Sequence, residues 1–299
     1  MLIRTLIFAN IVGFIFVVNS CKQSNNNFTP SNPKSSLLWQ ISGNGLQSAS
    51  YLYGTIHIQD KRVFSYGDIV KNIFDSADIV AVEVELDRLD PRTAFEVSMM
   101  KDSTLPQLMT AEEYQFLESK YKELTGSSLK TAIQMKPFFI SANIVQSMIN
   151  KDVDVPLDLY FIQKARESEK QVVGLESLYE QISLIDELSY TQQAKMLLES
   201  LNDTIDIKKS FNQLLDAYLS MNDSLLLELT SDPSIPKEFM DKMLIGRNHL
   251  MVSRLEPLLS EGKVFTAVGA AHLFGPEGII DLLQQKGYHV TPVRFRFEQ

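Results

Sequence analysis

The stretch YLYGTIHI, residues 51–58, runs as an apolar segment up to a glycine and places a histidine three residues after it. The stretch FTAVGAAHLFG, residues 265–275, repeats the arrangement near the other end of the chain. Only four histidines occur in 299 residues, and two of them, His57 and His272, stand in these Gly-x-x-His motifs. Sites on α/β sheets usually gather in the loops at strand ends, so the two imidazoles can share one site if their strands are neighbours.

Each motif begins with a glycine that follows a strand pattern. Glycine allows a backbone to turn sharply or to approach a neighbour closely, so we expect Gly54 and Gly269 to set the direction in which each histidine leaves the sheet. Two neutral imidazoles from separate loops suit a divalent transition metal. A catalytic metal site usually adds a carboxylate and keeps one position open for water.

The segment DIVAVEVEL, residues 78–86, contains candidate carboxylates. It is rich in β-branched residues and alternates at its end, which predicts a strand. With a period of two residues, Glu83 and Glu85 project from one face of that strand. Two carboxylates are expensive to bury without a cation or hydrogen-bond donors. They either belong to a functional site or lie on the water-facing side of a half-exposed edge strand.

The segment GRNHLMVSRL, residues 246–255, places a cation within an apolar helical pattern. The guanidinium of Arg247 has a planar fork of donors that can pair with the strand carboxylates or clamp a carbonyl or carboxylate of a substrate. The alternative is an arginine in solvent. His249 and His289 lack the Gly-x-x-His context, and we expect them to be surface or packing residues.

The order of the patterns predicts the fold. Two apolar segments joined by Asn44 and Gly45 predict a β-hairpin. From about residue 105 to 262 the pattern becomes helical, and Thr110 with Glu113 forms a capping-box signature at one helix start. Strand patterns return in KVFTAVGAAH and, after a helix, in YHVTPVRF. We predict a mixed α/β (α+β) fold, in which the N- and C-terminal segments form a central mixed β-sheet around the long helical insertion.

The N-terminal segment is predicted to lie outside this domain. Residues 1–20 contain Arg4 followed by a short apolar run, which is typical of a secretory signal peptide. Cys21 is the only cysteine and stands where a lipoprotein signal places its lipidated residue; the alternative is an ordinary secreted chain with a stray thiol. Residues 21–36 predict a flexible tether. Residues 37–299 then form a single domain that a lipid anchors to a membrane.

Composition and charge limit the possible functions. Hydrophobic residues make up 44% of the chain and charged residues 22%, which is ordinary for a globular domain. The formal net charge is −9 without a basic block, and this argues against nucleic acid as a partner, because nucleic-acid binding needs clustered Lys and Arg. A single cysteine excludes an intrachain disulfide framework.

The ordered set LLWQISG…YLYGTIHI, VEVEL, VVGLESLYEQ, GRNHLM and VGAAHLFGPEGIIDLLQQKGYHVTPV resembles the TraB/GumN family over essentially the whole chain from Leu37 onward. That family includes the TIKI proteins, which are metal-dependent proteases, and it is more distantly similar to erythromycin esterases and a haem-binding lipoprotein. One departure is Pro156, two residues before Asp158, where relatives often have glycine. By resemblance, the family's site positions correspond to His57, Glu83, Glu85, Glu176, Gln181, Arg247, Asn248 and His272.

The resemblance implies a fold like that of these relatives and a lipoprotein of the cell envelope. It implies hydrolysis of a peptide or protein substrate with a divalent metal, Mn, Co or Zn. His57 and His272 would bind the metal, and Glu83 would be a third ligand or the general base. Arg247, with Asn248 beside it, would stabilise a developing oxyanion or hold a carboxylate in place. Two alternatives stay open: a metal-independent, esterase-like hydrolase, and a protein that binds a peptide or haem without turnover.

Overall fold

The computed structural model describes residues 35–149, 151–202, 204–229 and 235–298. The predicted signal peptide, Cys21 and most of the predicted tether lie outside these ranges. No helix within the described ranges is long and apolar enough to cross a membrane.

A six-stranded sheet runs through the described part of the chain. Its strands are β1 Leu38–Gly43, β2 Ser50–Thr55, β3 Ile79–Val82, β4 Gln171–Gly174, β5 Val264–Gly269 and β6 Tyr288–Pro292. Their order across the sheet is β4-β3-β5-β2-β1-β6. Neighbours among β4, β3, β5 and β2 are parallel, whereas β1 pairs with β2 and with β6 in antiparallel fashion. The predicted mixed sheet, built from both ends of the chain, is therefore confirmed.

Helices cover both faces of the sheet and extend beyond it. Those of the described ranges are α1 Gly67–Asp75, α2 Pro91–Ser98, α3 Ala111–Thr125, α4 Pro137–Met148, α5 Leu157–Glu167, α6 Leu178–Ile185, α7 Tyr190–Asn202, α8 Thr204–Leu219, α9 Asp223–Leu229, α10 Lys237–Asp241, α11 Arg247–Glu261 and α12 Ile279–Gln285. A π-helical turn, Lys242–Gly246, joins α10 to α11. Helix α3 starts at the predicted capping box of Thr110 and Glu113, and it stops at Gly126 in a left-handed conformation.

Alternation of side chains along β5 divides the core between the two faces of the sheet. Phe265 and Ala267 belong to a buried apolar cluster with side chains of α1, α5 and α8. Val264 and Val268 belong to a second cluster with side chains of α11 and α12. Both faces of the parallel strands are therefore covered by apolar side chains, as is usual for parallel sheets. A further cluster unites α3, α4, α6, α7 and α10 beside the sheet.

The hairpin turns at the predicted dipeptide. Gly43, Asn44 and Gly45 all have positive φ, which glycine and asparagine accept at low cost. The folded part of the chain also begins earlier than residue 37. Ser36, which the sequence analysis placed in the tether, is 1% exposed and donates its hydroxyl to the carbonyl of Val293 at 2.7 Å. This contact fixes the start of β1 beside the segment that follows β6.

Two differences from the predicted elements matter for the site. Strand β3 ends at Val82, so Glu83 and Glu85 follow the strand instead of lying on it. The chain bends there into a short 3-10 helix, Leu86–Arg88, which breaks the expected alternation. Strand β4 lies within the predicted helical insertion, because four residues flanked by helices give too short a pattern to be recognised. It adds a fourth parallel strand, and Glu176 follows its end.

Position 54 requires glycine because another segment of the chain lies very close to it. The backbone dihedral does not require glycine, since φ of Gly54 is not positive. A Cβ built there would lie 3.0 Å from Cδ2 of Leu273 and 3.2 Å from Cα of Ala270. These atoms belong to the turn that follows β5. The end of β2 and that turn can therefore meet only because residue 54 has no side chain.

Gly54→Ala is expected to lower the free energy of unfolding by about 1–3 kcal/mol, because the added methyl group must push the turn away from β2. Gly246→Ala is the matched control: its φ is −57°, and the nearest atom to a Cβ there is 3.9 Å away. Alanine at this helical position should be neutral or stabilising by up to about 1 kcal/mol. Urea denaturation followed by circular dichroism measures both variants. Equal effects at the two positions would contradict the close-approach explanation.

Candidate functional site

The four parallel strands end at one edge of the sheet, and the candidate site lies at that edge. The register of β2 and β5 sets Gly54 opposite Val268 and Thr55 opposite Gly269. Both Gly-x-x-His loops therefore leave the sheet side by side. Strands β3 and β4 end beside them, which brings the segments after these strands to the same place.

A buried arginine holds two carboxylates at this edge. Arg247 is 2% exposed, and its Nη2 donates to Oε2 of Glu83 and to Oε2 of Glu176, both at 2.7 Å. Its Nε lies 3.0 Å from each oxygen of Glu176. The amide of Gln181 donates to Glu176 at 3.2 Å and to Glu83 at 3.5 Å. Arg247 comes directly after the π-helical turn, a local irregularity that is frequent at functional sites.

Glu83 is held as a carboxylate. Burial raises its pKa, but the charge of Arg247, the two histidines and a hydrogen bond from the Gly269 N–H outweigh burial and place the pKa well below its usual range. That N–H donates to Oε1 at 2.6 Å. A Cβ at Gly269 would lie 3.1 Å from this oxygen and 4.0 Å from Nε2 of His57. The bare glycine, with an ordinary φ of −54°, thus makes room for the carboxylate next to the imidazole.

His272 is held in a single neutral tautomer. Its Nδ1 lies 2.7 Å from Oδ1 of Asn248, whose Nδ2 donates to the carbonyl of Glu277 at 2.9 Å. Because the second bond fixes the orientation of the amide, Oδ1 is the acceptor and Nδ1 carries the hydrogen. Burial and the charge of Arg247 lower the pKa of His272 to about 3. Its Nε2 therefore has a free lone pair, 3.9 Å from Oε1 of Glu83.

His57 has an acidic partner in place of an amide. Its Nδ1 lies 2.7 Å from Oδ2 of Asp158, although the angle falls short of a good hydrogen bond. The hydroxyl of Thr55 donates to the other oxygen of Asp158. Burial lowers the pKa of His57, but Asp158 and then Glu83 raise it more, and the result is about 9. The acid reaches His57 from the first turn of α5, where Pro156 is the N-cap, so the departure at that position leaves the contact in place.

Other residues singled out in the sequence lie elsewhere. The carboxylate of Glu85 pairs with Arg166 and, at 3.0 Å, with Arg88, so it is not part of the buried cluster. It differs from Glu83 because the chain bends after β3 and the expected alternation is lost. His249 is exposed and lies 3.0 Å from a carboxylate oxygen of Glu277, and His289 is exposed on β6.

Sequence reasoning missed the partnership between Asp158 and His57 and the roles of Thr55 and Tyr218. Tyr218 donates its hydroxyl to the carbonyl of Gly54 at 2.8 Å and so supports the start of the first motif. No local pattern marks these residues, because they join the site from distant parts of the chain. The one available signal is the family position of Asp158, which the sequence analysis noted without a role.

A small cavity of about 40 Å³, open to solvent, lies over this cluster. One wall is polar and contains the two imidazoles, the carboxylate and the guanidinium. The apolar part of the lining comes from the loop after β2, from α8 and α9, and from the π-helical turn. Its side chains are those of Ile56, Leu214, Tyr218, Leu226 and Leu244.

The donor chemistry of the polar wall fits a divalent transition metal. Nδ1 of His57 and Nδ1 of His272 each lie 2.7 Å from a side-chain oxygen, and metal-binding histidines usually have such a partner. A metal would therefore bind at Nε2, where at His57 it would replace a proton. Glu83 is the nearest carboxylate, but it is bonded to Arg247 and to a backbone N–H. In the described part of the chain, no three His, Cys, Asp or Glu side chains converge closely enough to form a complete ligand set. The fit therefore rests on the two imidazoles.

Comparison with known proteins gives one family and several relatives. The sequence model of the TraB/PrgY/gumN family matches residues 37–292. The chain is 27% identical to "Metalloprotease TIKI1" of Danio rerio, with 88% of this chain and 64% of that protein aligned. It is 24% identical to "Metalloprotease TIKI homolog" of Nematostella vectensis, with 93% and 70% aligned. It is 26% identical to "Metalloprotease TIKI2" of Xenopus tropicalis, with 85% and 59% aligned.

The aligned regions thus span between 59% and 70% of the length of these three relatives. No solved structure matches the chain.

Arg247→Met is expected to lower the free energy of unfolding by about 3–5 kcal/mol, because it leaves two buried carboxylates without their cation. Adding Glu176→Gln should recover part of the loss by removing one of those charges. Arg254→Met is the matched control on the same helix: Arg254 pairs with Glu180, and both side chains are more than a third exposed, so its loss should cost about 1 kcal/mol. Urea denaturation measures all three. If the two arginine variants lost similar amounts of unfolding free energy, the burial of Arg247 between two carboxylates would not explain its effect.

Proposed function

The chain belongs to the TraB/PrgY/gumN family, as its motifs predicted, and from this membership we propose that it is a hydrolase that cuts peptide bonds with the help of a divalent metal. The relatives named above are metalloproteases, with 24–27% identity to this chain. The observation that carries the proposal is the pair of imidazoles that line one cavity, each with Nδ1 2.7 Å from a side-chain oxygen; the side chains of His57 and His272 are 12% and 6% exposed. The substrate is a peptide or a protein.

We assign the metal to His57 and His272, with Glu83 as the nearest carboxylate. A bound Mn, Co or Zn ion would polarise the substrate carbonyl and make water a nucleophile near neutral pH. Asp158 and Asn248 orient the two imidazoles from behind. Partners of this kind typically change metal affinity 10–100-fold.

Glu83 is the group that we assign to proton transfer. Its Oε2 is bonded to Arg247, whereas its Oε1 accepts from the Gly269 N–H and is the oxygen nearer to His272. As an ionised carboxylate, Glu83 can take a proton at Oε1 from the attacking water and pass it to the leaving amine.

Arg247 is assigned as a positioning residue. Of the two roles expected from the sequence, its bonds to Glu83 and Glu176 favour holding a carboxylate over stabilising an oxyanion. Asn248 is likewise a positioning residue, because it fixes the tautomer of His272.

A metal-independent hydrolase is the second candidate, and the contact between Asp158 and His57 favours it. An acid beside Nδ1 is the arrangement that orients a general-base histidine in metal-free hydrolases. In its neutral form, with the hydrogen on Nδ1, His57 would then take the proton from water at Nε2. Activity in that case would not follow metal content.

We also propose export of the protein and attachment to a membrane of the cell envelope through lipid on Cys21. The support is the pattern of residues 1–21 together with the polar stretch that follows. Cys21 lies outside the described residues.

His57→Ala and His272→Ala are each expected to remove most metal binding and most hydrolysis. The double variant should lose no more than either single variant, because both side chains belong to one centre. Glu83→Gln should keep the metal while turnover falls by roughly 10² to 10⁴, since the proton acceptor is lost. Elemental analysis measures the metal. Hydrolysis of an unfolded peptide is followed before chelation, after chelation and after addition of Mn, Co or Zn.

His289→Ala is the control, because His289 is an exposed histidine on β6 at the far edge of the sheet, and it should change neither readout. Chelator-resistant hydrolysis without bound metal would select the second candidate. Full metal and activity in His57→Ala, with both lost in His272→Ala, would rule out a shared centre. Peptide binding without any product would identify a binding protein.

Cys21→Ser is expected to move the protein from the membrane fraction to the soluble fraction without changing its unfolding midpoint, because Cys21 precedes the described domain. Ser24→Ala is the control and should leave the protein with the membranes. Cell fractionation and mass spectrometry of the N-terminal peptide provide the readout. A Cys21→Ser protein that still sediments wholly with membranes after signal cleavage would refute the lipid anchor.

A further inference from the structure

The turn that follows His272 contains a residue whose backbone conformation is unusual for its type. Glu277 has a φ of +60°, a left-handed conformation that glycine adopts readily and that a glutamate adopts only at a cost in free energy. Such conformations persist where the surrounding structure holds them, and they are frequent at functional sites. The contacts of Glu277 therefore indicate what its conformation is for.

Three side chains contact Glu277. Its N–H donates to Oδ2 of Asp281 at 3.0 Å, from the first turn of α12. Its carbonyl accepts from Nδ2 of Asn248 at 2.9 Å, and its carboxylate lies 3.0 Å from Nε2 of His249. The side chains of Glu277 and His249 are about half exposed, so their ion pair contributes little. The two main-chain hydrogen bonds are the contacts that connect Glu277 to the site.

The carbonyl of Glu277 determines which way the amide of Asn248 points. A carbonyl can only accept a hydrogen bond, so Nδ2 of Asn248 faces it and Oδ1 faces Nδ1 of His272. The opposite orientation would place Oδ1 against the carbonyl oxygen. Asn248 is 3% exposed, so an amide in that orientation would lose a hydrogen bond that water could not readily replace.

We propose that Glu277 is a positioning residue of the site, which acts through its main-chain carbonyl, and that Asp281 holds this carbonyl in place. Together they keep the hydrogen of neutral His272 on Nδ1 and the lone pair on Nε2, the nitrogen assigned to the metal. Without the carbonyl, Asn248 could turn Nδ2 towards His272, and the hydrogen would then lie on Nε2. The use of the lone pair rests on the proposed function, whereas the tautomer can be measured without it.

Glu277→Pro tests the role of the carbonyl, because proline cannot adopt a φ of +60° and has no N–H for Asp281. Nitrogen NMR of metal-free protein, labelled with ¹⁵N in its four histidines, reports which ring nitrogen of His272 has the hydrogen. The signals of His272 are those that His272→Ala removes. The wild type should have the hydrogen on Nδ1 alone, and Glu277→Pro should have a measurable fraction on Nε2. The Kd for Co²⁺ or Zn²⁺ should rise about 2- to 10-fold, as the competent tautomer becomes less populated.

Matched variants separate the carbonyl from the side chain and from general stability. Glu277→Gly accepts the same φ and keeps both main-chain hydrogen bonds, so its tautomer and metal affinity should equal those of the wild type. Asp281→Ala is the milder test, since it removes only the acceptor of the Glu277 N–H, and it should shift the tautomer in part. Asp281→Asn keeps an acceptor oxygen and should restore the wild-type tautomer. Thermal unfolding midpoints show that each variant is folded.

The outcomes distinguish this inference from the proposed function. A folded Glu277→Pro protein with the hydrogen of His272 still on Nδ1 alone would overturn the positioning role and leave the hydrolase standing. If Glu277→Pro does not fold, Asp281→Ala decides in the same way. A shift in Glu277→Gly as large as that in Glu277→Pro would assign the effect to the side chain and also overturn the inference. A shifted tautomer in a protein that binds no metal and cleaves no peptide would support the positioning role and refute the hydrolase.

Discussion

A guanidinium buried between two carboxylates joins three separate segments at the edge of the sheet. Arg247 begins α11, Glu83 follows β3, and Glu176 follows β4. None of these charges could remain buried alone, because removing an ion from water costs several kcal/mol unless an opposite charge and hydrogen bonds replace the water. The three charged side chains are therefore stable in the interior only together, as one set. This set fixes the position and ionisation of Glu83, whose carboxylate also lies near both histidines.

The two Gly-x-x-His motifs place their histidines in chemically different environments. Both histidines follow a glycine at a strand end, yet one is backed by Asp158 and the other by Asn248. The acid favours a positive His57, whereas the amide and the nearby guanidinium keep His272 neutral. A repeated motif thus fixes where each ring leaves the sheet, and partners from elsewhere in the chain decide its chemistry.

Features of this fold that depend on residues near in sequence could be predicted, whereas those that depend on distant residues could not. The hairpin, the capping box of α3 and the strand before His272 depend on neighbouring residues, so local patterns reveal them. Strand β4 is four residues long and exists because β3 lies beside it, which no local pattern records. Glu85 was expected to share a face with Glu83, but the strand ends before either residue. Gly54 and Gly269 were expected to permit a turn or a close approach, and only the close approach is seen.

The order of strands in space has a consequence for how the molecule is made. Strand β5 lies between β2 and β3, although 186 residues separate Glu83 from Gly269 along the chain. During synthesis the N-terminal segments leave the ribosome first. The β1–β2 hairpin and the β3–β4 pair can then form as two half-sheets with no strand in common, and such distant pairings are slow to form. Strand β5 is the last of the central strands to be synthesised, and it joins both halves. A nascent chain of this protein is therefore without its complete site until β5 and the following turn, which contain Gly269 and His272, have been translated.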